Sequence, residues 1–284
     1  MGLSLADYRD LVDLSTPYPR PDLLSGEEKV AACDKLLRFL LRERGLIAAF
    51  SASYERKREL VRGYANGRAP LPVPPEILAV QDALFWTESV ERGIVRAEEI
   101  PEVKYGISLW QGDITRLSAD AIVNAANKSL LGCFLAGHHC IDNAIHSFAG
   151  MQLRDDCAKI VAAQGREEAC GEAKATRAYN LPGRYVIHTV GPMVGRGTKE
   201  ADRASLRACY HACLDLAEEM ELQSIAFCCI STGTFNFPQE EAAEIATGTV
   251  LGWKMRRPEN KLKVIFNTFL PRDTEIYADI LKMI

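Results

Sequence analysis

Gly132-Cys-Phe-Leu-Ala-Gly-His-His-Cys-Ile-Asp-Asn-Ala-Ile-His146 is the stretch on which the reading of this chain turns. Cys133, His138 and Cys140 fall within eight residues, and Asp142 and Asn143 follow at once. Two thiols and an imidazole on one short loop are soft-to-borderline ligands, and zinc is the ion they suit best. Only three strong donors are evident. A structural zinc site usually closes with four protein ligands, whereas a catalytic one keeps a place for water or substrate. The expectation is therefore an open Zn2+ site, with His139 as a second histidine that residue type alone does not exclude.

On either side of this loop, short β runs alternate with helices. Upstream, Gly106 to Trp110 reads as a strand leading into Gln111-Gly-Asp113-Ile114-Thr115, and Ala121 to Val123 as a second one ending in Asn124-Ala-Ala-Asn127. Downstream, helices are expected from about Ile141 and over Gln152 to Gln164. Strands follow at Ala175 to Tyr179 and Tyr185 to Thr189, and a long amphipathic helix at Ala201 to Glu219. Ile225 to Ile230 is almost wholly apolar, as in a strand buried on both faces. Ser231-Thr-Gly-Thr-Phe-Asn-Phe-Pro238 is a loop before a helix at Gln239 to Trp253. Leu262 to Phe269 alternates as a strand, and Thr274 to Lys282 closes as a helix. This is a three-layer α/β pattern, in which function is expected where loops leave the carboxyl ends of the strands.

The first third differs. Helices are expected at Leu5 to Leu14, after the N-cap Ser25, at Phe50 to Ala65 and at Glu76 to Arg92, separated by proline-rich connectors. Val30, Cys33, Leu36, Leu37, Leu40 and Leu41 form the apolar stripe of the second. No catalytic constellation appears there. Residues 1–99 read as a helical extension and 100–284 as the main domain.

Composition narrows the classes. The 284 residues carry 48% hydrophobic and 25% charged side chains and a net charge of −4, with no long basic run, which disfavours a nucleic-acid backbone binder. No apolar run is long enough to span a bilayer, and the N-terminus lacks a signal-peptide core. Nine cysteines without regular spacing read as metal ligands plus buried thiols in a reducing compartment, so a cytoplasmic location and a monomer are expected.

Four motifs in order, Gln111 to Thr115, Asn124 to Asn127, Cys133 to His146 and Ser231 to Pro238, together resemble the macrodomain family, whose fold binds ADP-ribose. The resemblance covers roughly residues 100 to 284. Where many members carry a glycine run, this chain has Cys-x4-His-x-Cys, which looks like the zinc-dependent branch that removes ADP-ribose from proteins. That spacing selects His138 over His139. The branch often has Pro near Ala136, and many relatives an aliphatic residue at Thr234; both are departures here.

The resemblance implies a three-layer α/β/α macrodomain with a mixed central sheet, preceded by the helical extension. It implies that Asp113 accepts a hydrogen bond from the adenine amino group and that Ile114 offers a backbone N–H. Ser231, Thr232, Gly233, Thr234 and Phe235 would form the second phosphate-side loop, with Phe235 over the distal ribose. Asn127 would fix that ribose, and Asp142 would position or deprotonate the attacking group. The activity implied is hydrolysis of mono-ADP-ribose from protein side chains. Rivals are a non-catalytic ADP-ribose reader with a structural zinc, and an O-acetyl-ADP-ribose deacetylase. Plainer readings stand beside these: Asp113 as a turn cap, Asn127 as a turn former, Asp142 as a helix-start carboxylate, Phe269 as either an adenine platform or core. His146 reads as packing, and His188, Cys228 and Cys229 as core.

Overall fold

A computed structural model describes residues 2–47 and 52–283. Among them the helices are α1 (Leu5–Tyr8), α2 (Gly26–Arg42), α3 (Tyr54–Asn66), α4 (Pro75–Glu91), α5 (Ile141–Ala149), α6 (Met151–Gln164), α7 (Glu200–Glu219), α8 (Gln239–Met255) and α9 (Pro271–Lys282). The strands are β1 (Val95–Arg96), β2 (Glu102–Lys104), β3 (Ile107–Gln111), β4 (Leu117–Ser118), β5 (Ala121–Ala126), β6 (Ala173–Arg177), β7 (Tyr185–Val190), β8 (Ser224–Phe227) and β9 (Lys263–Thr268).

Seven strands form one mixed sheet in the order β2-β3-β9-β8-β5-β7-β6, and β1 pairs with β4 apart from it. The five central strands run parallel and each edge strand is antiparallel to its neighbour. Parallel strands are covered on both faces, and β5, β7, β8 and β9 are accordingly apolar and buried. Helices α7, α8 and α9 pack side by side over one face, while α5 and α6 cover β5 and β6. The expected α/β/α arrangement with a mixed sheet is what the chain adopts, with helices ahead of it.

The helical layer has its own core. Cys33, Leu36, Leu37, Leu40 and Leu41 of α2 pack with Val61, Ile77, Leu84 and Phe85, and Met151 of α6 joins them. Ser25 caps α2 as expected, its side chain accepting from Glu28 N while Glu28 reaches back to Ser25 N. Val30 departs from the expected stripe and is exposed, since the face turned to α3 and α4 begins at Cys33. The expected start of α3 at Phe50 lies outside the described residues.

Other boundaries move for identifiable reasons. The helix expected over Leu5 to Leu14 ends at Tyr8, and Asp13 has φ +48°. The chain tightens there because Tyr8 docks at the edge of the sheet, its hydroxyl accepting from Ala175 N at 2.9 Å, and Leu14 N turns back to Arg9 O. This also covers an edge strand that would otherwise present unpaired backbone groups. The strand expected to reach Ile230 ends at Phe227, where the chain turns into the 228–238 loop. By contrast β5 runs through Ala126, so Asn124 lies within a strand rather than after it.

One buried ion pair ties β6 to the segment before it. Lys174 Nζ lies 2.8 Å from Glu168 Oε1, and both side chains are almost wholly inaccessible. Removing one partner leaves an uncompensated buried charge. Lys174→Met is expected to lower folding stability by about 3–5 kcal/mol, read as a shift in the denaturant midpoint at unchanged slope.

Candidate active site

The loops after β5 and β8 leave neighbouring parallel strands at their carboxyl ends, the place where open α/β sheets bind ligands. The first loop, 127–140, curls tightly. Leu130, Gly132, Phe134 and Gly137 all have positive φ. At Gly132 (φ +81°) a Cβ would approach Arg154 Nη2 at 3.0 Å and the His146 ring at 3.3 Å, so glycine is required by both space and backbone. Phe134 has no such excuse at φ +54°; its ring lies over the Arg154 guanidinium, 4.5 Å from centroid to Cζ, a contact that offsets the strain.

The result brings Cys133 Sγ, Cys140 Sγ and a ring nitrogen of His138 all within 4.8 Å of one another. His138 Nδ1 is buried without a hydrogen-bond partner. Asn143 donates its side-chain N–H to Cys133 Sγ at 3.3 Å and its backbone N–H to Cys140 Sγ at 3.4 Å, so each sulfur faces a donor. Cys140 is itself the N-cap of α5. Burial nevertheless outweighs that donor and pushes its thiol up to about 11. A cation beside the sulfur is what would favour the thiolate.

Asp142 sits in the first turn of α5, with 5% of its surface exposed. Its Oδ1 accepts from Asn124 Nδ2 at 2.8 Å. Burial raises the carboxyl to about 6, against the Asn124 hydrogen bond and the nearby Arg154 charge. Asn124 in turn stands directly opposite His188 on β7, with Nδ2 3.1 Å from His188 Nδ1. An amide nitrogen only donates, so Nδ1 is the acceptor and the imidazole proton lies on Nε2, which is 3.0 Å from Thr176 Oγ1. Burial drives His188 down to about 3, which keeps the ring neutral. His188 is buried, as the sequence suggested, but it is more than packing: with Asn124 and Thr176 it forms a polar ladder that ends on Asp142. His146, also pushed down by burial, lies 3.5 Å from Asp142 Oδ1, with both ring nitrogens buried and lacking a side-chain partner.

The other expected residues line the same edge. Asp113 caps a short turn, Oδ1 accepting from Thr115 N at 2.9 Å and from Thr115 Oγ1 at 2.7 Å, so the turn-cap reading holds for one oxygen. Its Oδ2 faces Arg92 Nη1 of the helical layer at 3.4 Å. Ile114 is buried beneath it. Asn127 is fully engaged by its own loop: Nδ2 donates to Gly132 O at 2.9 Å, and Oδ1 accepts from Ser129 N and Oγ.

In the second loop Ser231 has φ +68° and a buried, unpartnered Oγ. Gly233 and Thr234 are exposed, nothing crowds Gly233, and Phe235 is half-buried. Phe269 is 71% exposed, so its core reading is overturned: β9 ends at Thr268 and the ring projects from the sheet edge.

Sequence reasoning missed Arg62, Asn66 and Arg92, all from the helical layer. Arg62 and Asn66 carried one signal, a polar pair at i, i+4 on a helix with an apolar face.

Among the described residues no helix is long and apolar enough to cross a membrane. A family model described as "Macro domain" matches residues 123–246. The chain is 48% identical over 235 residues to the "Protein-ADP-ribose hydrolase" of Staphylococcus aureus (strain MRSA252), spanning 82% of this chain and 88% of that one. An Oceanobacillus iheyensis macrodomain solved with ADP superposes with a TM-score of 0.57 and 37% identity, over 62% of this chain and 90% of that one. A Trypanosoma brucei macrodomain in complex with ADP-ribose reaches 0.58 at 26% identity, over 94% of this chain and 99% of that one, a share that takes in most of the helical layer.

Proposed function

This chain belongs to the macro domain family, and on that premise we propose that it is a zinc-dependent hydrolase that removes mono-ADP-ribose from modified protein side chains. The observation that carries the reading is the buried Asp142 carboxylate, held by Asn124 in the first turn of α5 immediately beside the Cys133–His138–Cys140 cluster. A basic carboxylate and an ion-binding loop on one sheet edge are the parts a glycosyl-bond hydrolysis uses.

In this reading ADP-ribose lies along the carboxyl edge of the sheet. Adenine takes the oxygen of Asp113 that Thr115 leaves free, beside Ile114. The diphosphate lies against backbone N–H groups of Ser231 to Phe235, where Gly233 lets it approach. Asn127 holds the 127–132 loop against which the distal ribose rests, and Phe235 covers the sugar. Asp142 orients a water and takes its proton as the water oxygen bonds to C1″; the acceptor side chain leaves from that carbon and receives the proton that Asp142 took. Cys133, His138 and Cys140 fit zinc by donor type, convergence and the orphaned His138 nitrogen. When bound, the ion supplies a positive charge beside the sugar that favours ionised oxygen.

The test is incubation of the purified protein, as isolated and after chelation, with mono-ADP-ribosylated protein of defined linkage, reading free ADP-ribose and metal content together. Release that persists without zinc defeats the metal role. Tight ADP-ribose binding with no release leaves the reader function instead.

The second loop makes its own prediction. A Cβ on Gly191 would meet Ser231 Oγ at 2.0 Å and Ile230 Cγ2 at 2.9 Å, so Gly191→Ala must turn the Ser231 hydroxyl aside and press on Ile230 at the base of the loop. ADP-ribose affinity is expected to fall about tenfold, or about 1.4 kcal/mol, by titration calorimetry. Unchanged affinity would separate this loop from the diphosphate.

A further inference from the structure

The amide of Asn143 stands between the helical layer and the cysteine loop. On one side its Oδ1 accepts from Arg62 Nη2 and Asn66 Nδ2 of α3, each at 3.0 Å. On the other its Nδ2 donates to Cys133 Sγ at 3.3 Å and Leu135 O at 2.9 Å. Donors therefore crowd one end of the amide and acceptors the other. Rotating it by half a turn would set N–H against N–H and oxygen against sulfur and carbonyl. Asn66 is oriented in turn, because only its N–H end can face the Asn143 oxygen, while the one proton of the Ser147 hydroxyl goes to Asn143 O at 2.6 Å. The two amides are thus locked in series, and both are buried.

A second fastening lies beside the first. Arg154 of α6 donates through Nε to Leu131 O at 2.7 Å and through Nη1 to Ala65 O at 2.9 Å and to Arg68 O. One guanidinium thereby joins the carboxyl end of α3 to the residues just before Cys133.

We propose that Arg62 and Asn66 of α3 are positioning residues for the Cys133–Cys140 loop, acting through the Asn143 amide that their donors orient. The helical layer thereby completes the metal-binding loop from outside the macrodomain core. This rests on the function proposed above for what the loop does, but not for how it is held. Groups hydrogen-bonded to a metal ligand, as Asn143 is to Cys133, typically change metal affinity or activity 10- to 100-fold when removed. Arg62 and Asn66 stand one hydrogen bond further out, so the lower end of that range is expected of them.

The test uses full-length Arg62→Ala and Asn66→Ala, with Arg62→Lys as the conservative control. Two readouts are taken: zinc affinity by chelator competition, and amide hydrogen exchange of a peptide spanning residues 131–142 in the metal-free protein. The expected result is zinc affinity lowered about tenfold and faster loop exchange in both alanine variants. In turnover assays kcat should fall while KM holds. Arg62→Lys should recover part of each loss. Loop exchange and zinc affinity both within twofold of the parent in Arg62→Ala, the half-exposed and more tolerant position, would overturn the proposal even if Asn66→Ala fails to fold. If the parent protein binds no zinc, the function proposed above fails, and the exchange measurement alone decides the positioning role.

Discussion

Asp142→Asn is expected to slow release of ADP-ribose by about 10²–10⁴-fold while leaving ADP-ribose affinity nearly unchanged. The substitution keeps shape and can keep the hydrogen bond from Asn124, with an amide oxygen in place of Oδ1. What it removes is the ability to take a proton. The same change should make the metal-free protein more stable at neutral pH. Burial lifts the Asp142 carboxyl to about 6 from an ordinary 3.8, so the folded state holds the proton more tightly than the unfolded chain. That stabilisation is complete below about pH 4 and is lost as pH rises through about 6. At pH 7 the ionised carboxylate therefore costs about 3 kcal/mol, which the neutral amide avoids. Activity requires the opposite state. Turnover should fall about tenfold per pH unit on the acid side of a limb at or below about 6, because a bound divalent cation favours the carboxylate. Denaturant melts and a pH–rate profile measure both halves. A variant that is less stable and equally active would place Asp142 among ordinary helix-start carboxylates.

Cys140→Ala is expected to abolish zinc binding and to cut turnover by at least about 100-fold, with ADP-ribose affinity retained. Cys140 does two jobs, as one of three converging donors and as the N-cap of α5. Alanine at an N-cap costs about 1 kcal/mol, so a folding loss alone could mimic a metal effect. Cys140→Ser separates them. Its hydroxyl keeps the cap and is a poor zinc ligand, so stability should match that of the metal-free parent while zinc and turnover are lost. Metal analysis, thermal melts and ADP-ribose release on both variants give the answer. Full turnover in a zinc-free Cys140→Ser protein would remove the ion from the chemistry.

Much of the architecture was legible in the sequence because it depends on local signals. The apolar runs of β5, β8 and β9, the Ser25 cap and the alternation of helix and strand are all short-range patterns. The convergence of Cys133, His138 and Cys140 was legible for the same reason, since the three share one loop. What could not be read were pairings across long sequence gaps. Asn124 read as lying past the end of its strand, and only its register opposite His188 shows that it belongs to a buried ladder. Arg92 reaches Asp113 across 21 residues, and Asn66 reaches Asn143 across 77. Phe269 was ambiguous because one residue of strand length decides whether its ring faces core or solvent.

The docking of residues 5–20 has a bearing on how the chain is made. Tyr8 meets Ala175, Asp13 pairs with Arg177, Leu14 O accepts from Tyr185 Oη, and Arg20 donates to Leu181 O. These residues thus have their berth on strands synthesised some 160 residues later. Until β6 emerges, Tyr8 lacks the backbone N–H of Ala175 that it accepts from, and the core that buries Leu5, Tyr8 and Val12 is incomplete. Closing so long a loop is slow relative to forming α2 to α4, whose partners lie within the same stretch of chain. The helical layer is therefore expected to be in place before residues 5–20 latch onto the sheet edge.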